Sequence, residues 1–131
     1  MLFRSKPPWG RITAIDLTTG EHAWMVANGD TPAIVAERLE LDPATLPRTG
    51  KASRSMLLVT RTLLFAGEGL SGDPVFRAHD KATGEILAEL EIPNTTAGLP
   101  MSYMHEGRQF VVVAVGGGGA PSELVALALP R

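Results

Sequence analysis

The residue types that most often do chemistry are sparse and scattered in this sequence of 131 residues. His22, His79 and His105 have no acidic residue or second histidine at metal-ligand spacing, so we expect no metal site built from them. The absence of cysteine excludes disulfides, thiolate nucleophiles and cysteine-based zinc or iron–sulfur sites. We therefore assign no catalytic residue and no metal ligand from residue types alone.

Two glycine-rich segments look like nucleotide-binding loops. Residues 67–72 read Gly-Glu-Gly-Leu-Ser-Gly and match the pattern G-x-G-x-x-G. A dinucleotide site needs a helix after this pattern, but Asp73 and Pro74 lead directly into a strand-like segment. The glycine run at 116–119 lacks the Gly-Lys-Ser/Thr ending of a phosphate-binding loop. We interpret both segments as connections between strands.

The elements that carry these residues are short. The sequence predicts one helix over 33–39, with Thr31 as its N-cap and Pro32 at its first helical position, ending before Pro43. Met56, Met101 and Met104 fall in apolar strands and are interpreted as core residues. Nine short strands are predicted, at 12–17, 22–27, 56–60, 62–66, 75–81, 86–92, 99–104, 110–115 and 124–129. Together with 14 glycines and 10 prolines, this pattern indicates an all-β protein rich in turns.

Composition narrows the possible partners. The formal net charge of −2 argues against nucleic acid or an anionic membrane surface as an electrostatic partner. The longest strongly apolar runs, at 110–115 and 124–129, are far shorter than the roughly 18 residues of a membrane-spanning helix. Residues 1–10 lack an apolar stretch of signal-peptide length. We expect one domain with no nucleic-acid partner, no membrane contact of its own and no export signal in this chain.

A repeat organises the strands. Residues 14–24 (AIDLTTGEHAW) align with residues 78–88 (AHDKATGEILA), and five of the eleven positions are identical. A fainter echo places Ala66, Gly69 and Ala78 over residues 48 positions later. A repeat of this size with about four strands is typical of a propeller blade. The longer first interval is explained if residues 29–51, which hold the helix, are an insertion.

The repeated residues have a structural explanation. The carboxylates of Asp16 and Asp80 can accept backbone N–H bonds from two or three residues further on, which fixes a Thr-Gly turn. Gly20 and Gly84 supply the positive φ that this turn requires. We therefore predict that both aspartates stabilise turns and are not catalytic acids, and that Trp24 packs against a neighbouring blade.

The complete pattern Ala-x-Asp-x-x-Thr-Gly-x-x-x-Trp at 14–24 resembles the tryptophan-docking motif of quinoprotein propellers. These are the dehydrogenases that use pyrroloquinoline quinone (PQQ). Further stretches resemble the C-terminal end of the glucose- and alcohol-dehydrogenase-like members, in the order that the family has them. They are residues 7–17, 63–67, 76–80, 98–103, 109–116 and 126–130. The resemblance covers nearly the whole chain from Pro7 onward.

The resemblance implies an eight-bladed propeller several times longer than this chain. It implies that the chain forms about two and a half four-stranded antiparallel blades, with the short helix in an insertion. The expected boundaries are a partial blade at about 10–28, the helical insertion at about 29–51, a full blade at about 52–93 and a last incomplete blade at about 98–131. Such propellers close by taking the fourth strand of the last blade from the other terminus.

The family also implies PQQ and calcium on the propeller axis, beside an aspartate that acts as general base while the quinone accepts a hydride equivalent. The calcium ligands and that aspartate belong to blades outside this segment, so no residue here is assigned to them. Because PQQ is a tricarboxylate, Arg54 and Ser55, beside an innermost strand, are the candidate cofactor-binding residues. The alternative for Arg54 is an ordinary solvated surface residue.

Two hypotheses on function follow. The first is the C-terminal segment of a PQQ-dependent dehydrogenase that oxidises a sugar or alcohol, inactive on its own and completed by the remaining blades. The resemblance implies a periplasmic or membrane-associated location for such an enzyme. The second is a non-catalytic β-module that binds a partner or self-associates through open blade edges such as 124–129.

Overall fold

The computed structural model describes residues 6–130. The expectation for residues 1–10 therefore lies partly outside the described residues, which begin at Lys6. The last predicted blade is described as far as Pro130. Two compact units divide the chain, the first ending at Ser53 and the second beginning at Arg54. The regular structure of the described residues consists mostly of strands in antiparallel sheets, with one short helix, which confirms the all-β prediction.

The first unit contains a two-stranded antiparallel sheet. Strand β1 (Arg11–Ile15) pairs with strand β2 (His22–Ala27), and Ala14 lies opposite Trp24. A bulge between Ala14 and Ile15 shifts the register just before the turn. Trp24 is partly buried, and its predicted packing against a neighbouring blade stays a prediction.

The insertion of the first unit starts and ends at the same place. The Gly50 N–H donates to the Gly29 carbonyl at 3.0 Å, and the Lys51 N–H donates to the Asn28 carbonyl at 3.3 Å. A Cβ on Gly10 would collide with the backbone of Lys51, so the two segments need glycine to approach this closely. Residues 28–51 therefore leave and rejoin the sheet at one point.

Helix α1 (Ala33–Leu39) confirms the predicted helix, but its predicted cap is wrong. The N-cap is Pro32, and no side chain caps the helix. The Thr31 hydroxyl donates instead to the Pro47 carbonyl at 2.6 Å, because the insertion folds that carbonyl within reach. A short 3₁₀ turn, Pro43–Thr45, follows the helix. No helix among the described residues is long and apolar enough to cross a membrane.

The second unit contains two sheets. The first has the strand order β3-β4-β5-β6 and the second the order β7-β8-β9, with antiparallel pairing throughout. The strands are β3 (Leu57–Val59), β4 (Leu63–Gly67), β5 (Val75–Asp80), β6 (Ile86–Glu91), β7 (Met101–His105), β8 (Arg108–Gly117) and β9 (Ala120–Ala128). With β1 and β2, they match the nine predicted strands in number and order. The connection at 67–74 joins β4 to β5 without a helix, which confirms its interpretation as a strand–strand connection.

The core of the second unit lies between its two sheets. Val111, Val113 and Val115 alternate along β8, so all three point to one face, where they pack with Phe76 and Ile92. This alternation is the period expected for a strand that is buried on one side. The opposite face of the same sheet is apolar but largely uncovered.

The interpretation of three methionines as core residues is wrong for the described chain. Met56, Met101 and Met104 are all exposed. Met101 lies opposite Val112 in the register, and therefore on the face of the β7-β8-β9 sheet that is turned away from the core. An apolar strand pattern identifies a strand, but it does not say which of its faces the rest of the fold covers.

Candidate functional site

The two ends of the four-stranded sheet carry different connections between strands. One end carries the turn at 80–84, and the other carries the connection at 67–74. We call the latter the loop end. It comprises Arg54 and Ser55 together with residues 67–74, 95–96 and 116–119.

The turn end confirms the predicted role of the aspartates. The Asp80 carboxylate accepts the Ala82 and Thr83 N–H groups at 2.8 and 2.9 Å. In the first unit, Asp16 likewise accepts the Thr18 N–H at 2.8 Å. Gly20 and Gly84 adopt φ values of 77° and 79°. Both aspartates are occupied in turns, as the sequence predicts, because these contacts are local in the chain.

The loop end is assembled from segments that are distant in sequence. Arg54 forms an isolated bridge with Leu70, and the Ser55 hydroxyl donates to the Gly67 carbonyl at 2.5 Å. The Gly69 N–H donates to the buried Thr96 hydroxyl at 3.0 Å. These contacts bring the start of β3 to the end of β4 and to the segment before β7.

The glycine run at 116–119 completes the loop end. The Thr95 hydroxyl donates to the Gly116 carbonyl at 3.0 Å, and the Gly116 N–H donates to the Thr95 carbonyl at 3.0 Å. A Cβ on Gly117, whose φ is 119°, would lie 3.1 Å from the Leu70 side chain. The two glycine-rich segments of the sequence therefore lie next to each other.

The two predicted cofactor-binding residues lie side by side at the loop end but differ in whether their side chains are available to hydrogen-bond a ligand. The Arg54 side chain is exposed and has no hydrogen bond or ion pair within residues 6–130. Ser55 is partly buried and directs its hydroxyl proton to the Gly67 carbonyl. A guanidinium can bind a carboxylate with two parallel hydrogen bonds, so Arg54 suits an anionic group better than Ser55 does. Cofactor binding by either residue stays a prediction.

Sequence reasoning missed the charged residues behind the loop end. Glu68 and Arg77 are 0% and 2% exposed, and the Arg77 Nη2 atom lies 2.8 Å from the Glu68 Oε1 atom. One signal was available, because Glu68 stands between two glycines directly after a strand and Arg77 interrupts an apolar one. The pairing itself depends on a register that the sequence does not specify.

Clusters of metal-binding side chains and the cavity of the first unit are two further places where a functional site could lie. Residues 6–130 contain no cluster of three or more histidine, aspartate or glutamate side chains that could hold a metal ion. A cavity of about 370 Å³ in the first unit is lined by Asp30, Thr31, Pro43, Ala44, Leu46 and Arg48. Its ion pair, Arg48 to Asp30 at 2.8 Å, is exposed to solvent, and exposed ion pairs contribute little to stability.

Comparison with known proteins identifies the family. Residues 2–111 match the family model described as the glucose/ethanol/alcohol dehydrogenase β-propeller domain that is named for PQQ. Methanol dehydrogenase [cytochrome c] subunit 1 of Paracoccus denitrificans is 41% identical over 112 residues, which are 86% of this chain and 14% of that protein. Quinate/shikimate dehydrogenase (quinone) of Acinetobacter baylyi is 34% identical over 117 residues, again 86% of this chain and 14% of that protein.

A third relative extends the match. Quinoprotein glucose dehydrogenase of Escherichia coli is 31% identical over 134 aligned positions, which cover 95% of this chain and 16% of that protein. The chain thus spans about one seventh of the length of the curated relatives it matches. The antiparallel sheets, the single short helix of the described residues and the family match together show a partial β-propeller. The chain belongs to the PQQ-dependent quinoprotein dehydrogenase propeller family.

Proposed function

We propose that this chain is the C-terminal propeller segment of a PQQ-dependent dehydrogenase that oxidises a CH–OH group of a sugar or alcohol and passes electrons to a quinone-type acceptor. The observation that carries the proposal is that most of the chain matches the quinate/shikimate, glucose and methanol dehydrogenases named above while it spans only 14–16% of their length. In this proposal the two-, four- and three-stranded sheets are a partial blade (10–28), a full blade (52–93) and a last incomplete blade (98–131), with the insertion at 29–51.

The uncovered face of the β7-β8-β9 sheet supports a role within a larger propeller. Its side chains are apolar and either exposed or only partly buried. They are Met101, Tyr103, Phe110, Val112, Ala114, Leu124, Ala126 and Ala128. A contiguous apolar patch of this kind marks an interaction surface in a folded protein. We propose that a further blade of the parent protein covers it.

The unpaired edge of β9 in the same sheet also supports the proposal that the remaining blades contact this sheet. Strand β9 pairs with β8 on one side only, and its other edge has no partner strand among the described residues. Unpaired strand edges invite pairing with another strand. A three-stranded blade therefore has both an open face and an open edge where the remaining blades would contact it.

The loop end fits part of a PQQ site. When bound, PQQ supplies the group that accepts two electrons from the substrate. Arg54 would hold one of its carboxylates, because its guanidinium is exposed and unpaired within the described chain. The described residues offer no cluster suited to calcium, so the calcium ligands and the general base belong to other blades in this proposal. We also propose a periplasmic or membrane-associated location, which the family resemblance implies.

The direct test replaces the matching segment of quinoprotein glucose dehydrogenase from Escherichia coli with this chain. We expect the chimera to reduce an electron-accepting dye with glucose, PQQ and Ca²⁺, and the isolated chain to give no more reduction than a control without protein. A chimera truncated before β7 is the matched control and should be inactive. Dye reduction by the isolated chain would contradict the proposed dependence on other blades.

The second candidate function is a non-catalytic module that self-associates. The same open β9 edge and apolar face favour it, because two copies could cover each other. Light scattering of the isolated chain separates the two candidates. A stable dimer of the chain with a defined mass favours the module. A chain that stays monomeric alone and forms a complex only when the other propeller blades are added favours the segment.

A further inference from the structure

Arg77 is a charged residue in the interior of the second unit. It lies on β5 beside the buried Phe76 and is itself 2% exposed. Removing a guanidinium from water is costly unless ionised partners accept its N–H groups. The position of those partners therefore shows what Arg77 holds in place.

Two carboxylates from opposite sides contact Arg77. Its Nη2 atom lies 2.8 Å from Glu68 Oε1, and its Nε atom donates to Glu89 Oε2 at 2.5 Å. Glu89 is directly opposite Arg77 in the register of β5 and β6, and its side chain is 37% exposed. Glu68 follows β4 and is fully buried. Arg77 thus connects residue 68, which follows β4, to β6 at the edge of the sheet.

Glu68 gives the connection its shape. Its second oxygen, Oε2, accepts the Asp73 N–H at 2.8 Å, and the Gly72 N–H donates to the Gly69 carbonyl at 3.0 Å. A Cβ on Gly72 would collide with the Glu68 side chain. Residues 68–73 therefore form a closed ring around the Glu68 carboxylate, and that carboxylate is fixed by Arg77.

The ring contacts the segment that carries Arg54. Leu70, within the ring, forms the isolated bridge with Arg54. A Cβ on Gly69 would collide with the Arg54 carbonyl oxygen, so the two backbones are in direct contact. The buried pair is thus connected to Arg54 through a single continuous set of contacts.

We propose that Glu68 and Arg77 are positioning residues that fix the connection at 67–74 and through it place the Arg54 guanidinium for an anionic ligand. The identity of that ligand as PQQ rests on the function proposed above. The mechanical link between the buried pair and Arg54 does not depend on it.

The test compares Glu68→Gln with Leu64→Ala in the 131-residue chain. Leu64 is buried in the same sheet but lies opposite His79, towards the turn end, so its truncation weakens the sheet without touching the ring. Hydrogen exchange is measured for segments 52–57 and 66–74 and divided by the rate for β6. We expect this ratio to rise about tenfold in Glu68→Gln and to stay unchanged in Leu64→Ala. Trypsin cleavage after Arg54 should accelerate in parallel in Glu68→Gln.

Arg77→Lys sharpens the result. It keeps the positive charge but loses the planar fork that contacts two carboxylates at once, so the ratio should lie between those of the native chain and Glu68→Gln. An unchanged ratio in a folded Glu68→Gln variant would overturn the proposal. So would an equal rise in Leu64→Ala.

A ligand-binding measurement distinguishes failure of this positioning proposal from failure of the proposed PQQ-binding function. PQQ is titrated onto the native chain, Glu68→Gln and Arg54→Met while tryptophan fluorescence is recorded. We expect both variants to bind about tenfold more weakly. If PQQ binding is absent or unaffected by Arg54→Met while the exchange ratio still rises in Glu68→Gln, the proposed cofactor role of Arg54 fails and the positioning of the loop stands.

Discussion

The turn end and the loop end of the four-stranded sheet are held by different kinds of contact. At the turn end, every hydrogen bond of the Asp80 carboxylate is made to Ala82 or Thr83, two or three residues further along the chain. At the loop end, the Gly69 N–H reaches Thr96, which is 27 residues away. The first end is therefore encoded in a short motif, whereas the second exists only when distant segments meet.

The comparison extends to the repeat. The same Asp-x-x-Thr-Gly turn forms in both units, with the Gly20 and Gly84 N–H groups donating to the carbonyls of Asp16 and Asp80 at 2.7 and 2.8 Å. No counterpart of the buried Glu68–Arg77 pair is found in the described part of the first unit. The local motif repeats, and the non-local cluster is specific to one sheet.

The largest effect on stability is expected for Gly67→Ala at the loop end. A Cβ at this position would collide with the side chain of Thr96, and overpacking of a buried site costs about 1–3 kcal/mol. Gly98→Ala is the matched control, because its Cβ would be 3.1 Å from the Ala114 Cβ and the contact is relieved by a small shift. Urea denaturation should separate the two variants clearly. Equal midpoints would contradict the close approach at Thr96.

An intermediate effect is expected for alanine at the two turn glycines. Gly20 and Gly84 both have positive φ, which costs a side-chain-bearing residue about 1–2 kcal/mol. A Cβ on Gly20 would meet nothing within 4 Å, so its replacement measures the backbone cost alone. We expect faster hydrogen exchange in the affected turn of each variant. Replacement of Gly20 by Asn should cost less than alanine, because Asn tolerates this conformation.

The smallest effect is expected for alanine at the two turn aspartates. Asp80 accepts two backbone N–H groups and Asp16 accepts one, but both turns are exposed, so each loss should be about 1 kcal/mol or less. Asp80→Ala should lower the stability more than Asp16→Ala. Hydrogen exchange of segments 80–85 and 16–21 measures each loss locally. A larger loss for Asp16→Ala would show that the number of accepted bonds does not set the difference.

The sequence allowed the strands, the helix and both turns to be predicted, because alternation, Asp-x-x-Thr-Gly spacing and proline position act over a few residues. The N-cap was wrong because Thr31 bonds to Pro47, a partner that only the folded insertion brings near. The core prediction was wrong for Met101 because strand alternation identifies two faces without saying which one is covered. Met56 precedes β3, and Met104 lies near the exposed end of β7, so both are exposed for reasons of position along the strand. The Glu68–Arg77 pair was missed for a related reason, since it depends on the register between strands.

The cofactor-binding role of the candidate site stays a prediction, but the position of its residues can be compared with the sequence. The structure places Arg54 and Ser55 at the end of the sheet where three connections meet, but it uses the Ser55 proton within the chain. That bond could not be foreseen, because Ser55 precedes β3 and its acceptor Gly67 ends β4, and the sequence does not specify how these two strands pair.

The excursion at 28–51 has a practical consequence, because its two ends lie side by side. Closing a loop becomes only slightly more costly as the loop lengthens, so we expect a shorter or longer segment here to change the stability of the β1–β2 hairpin little. The same geometry makes it a suitable place to graft an affinity tag or a fluorescent reporter. Such a graft would report on the assembly of the protein.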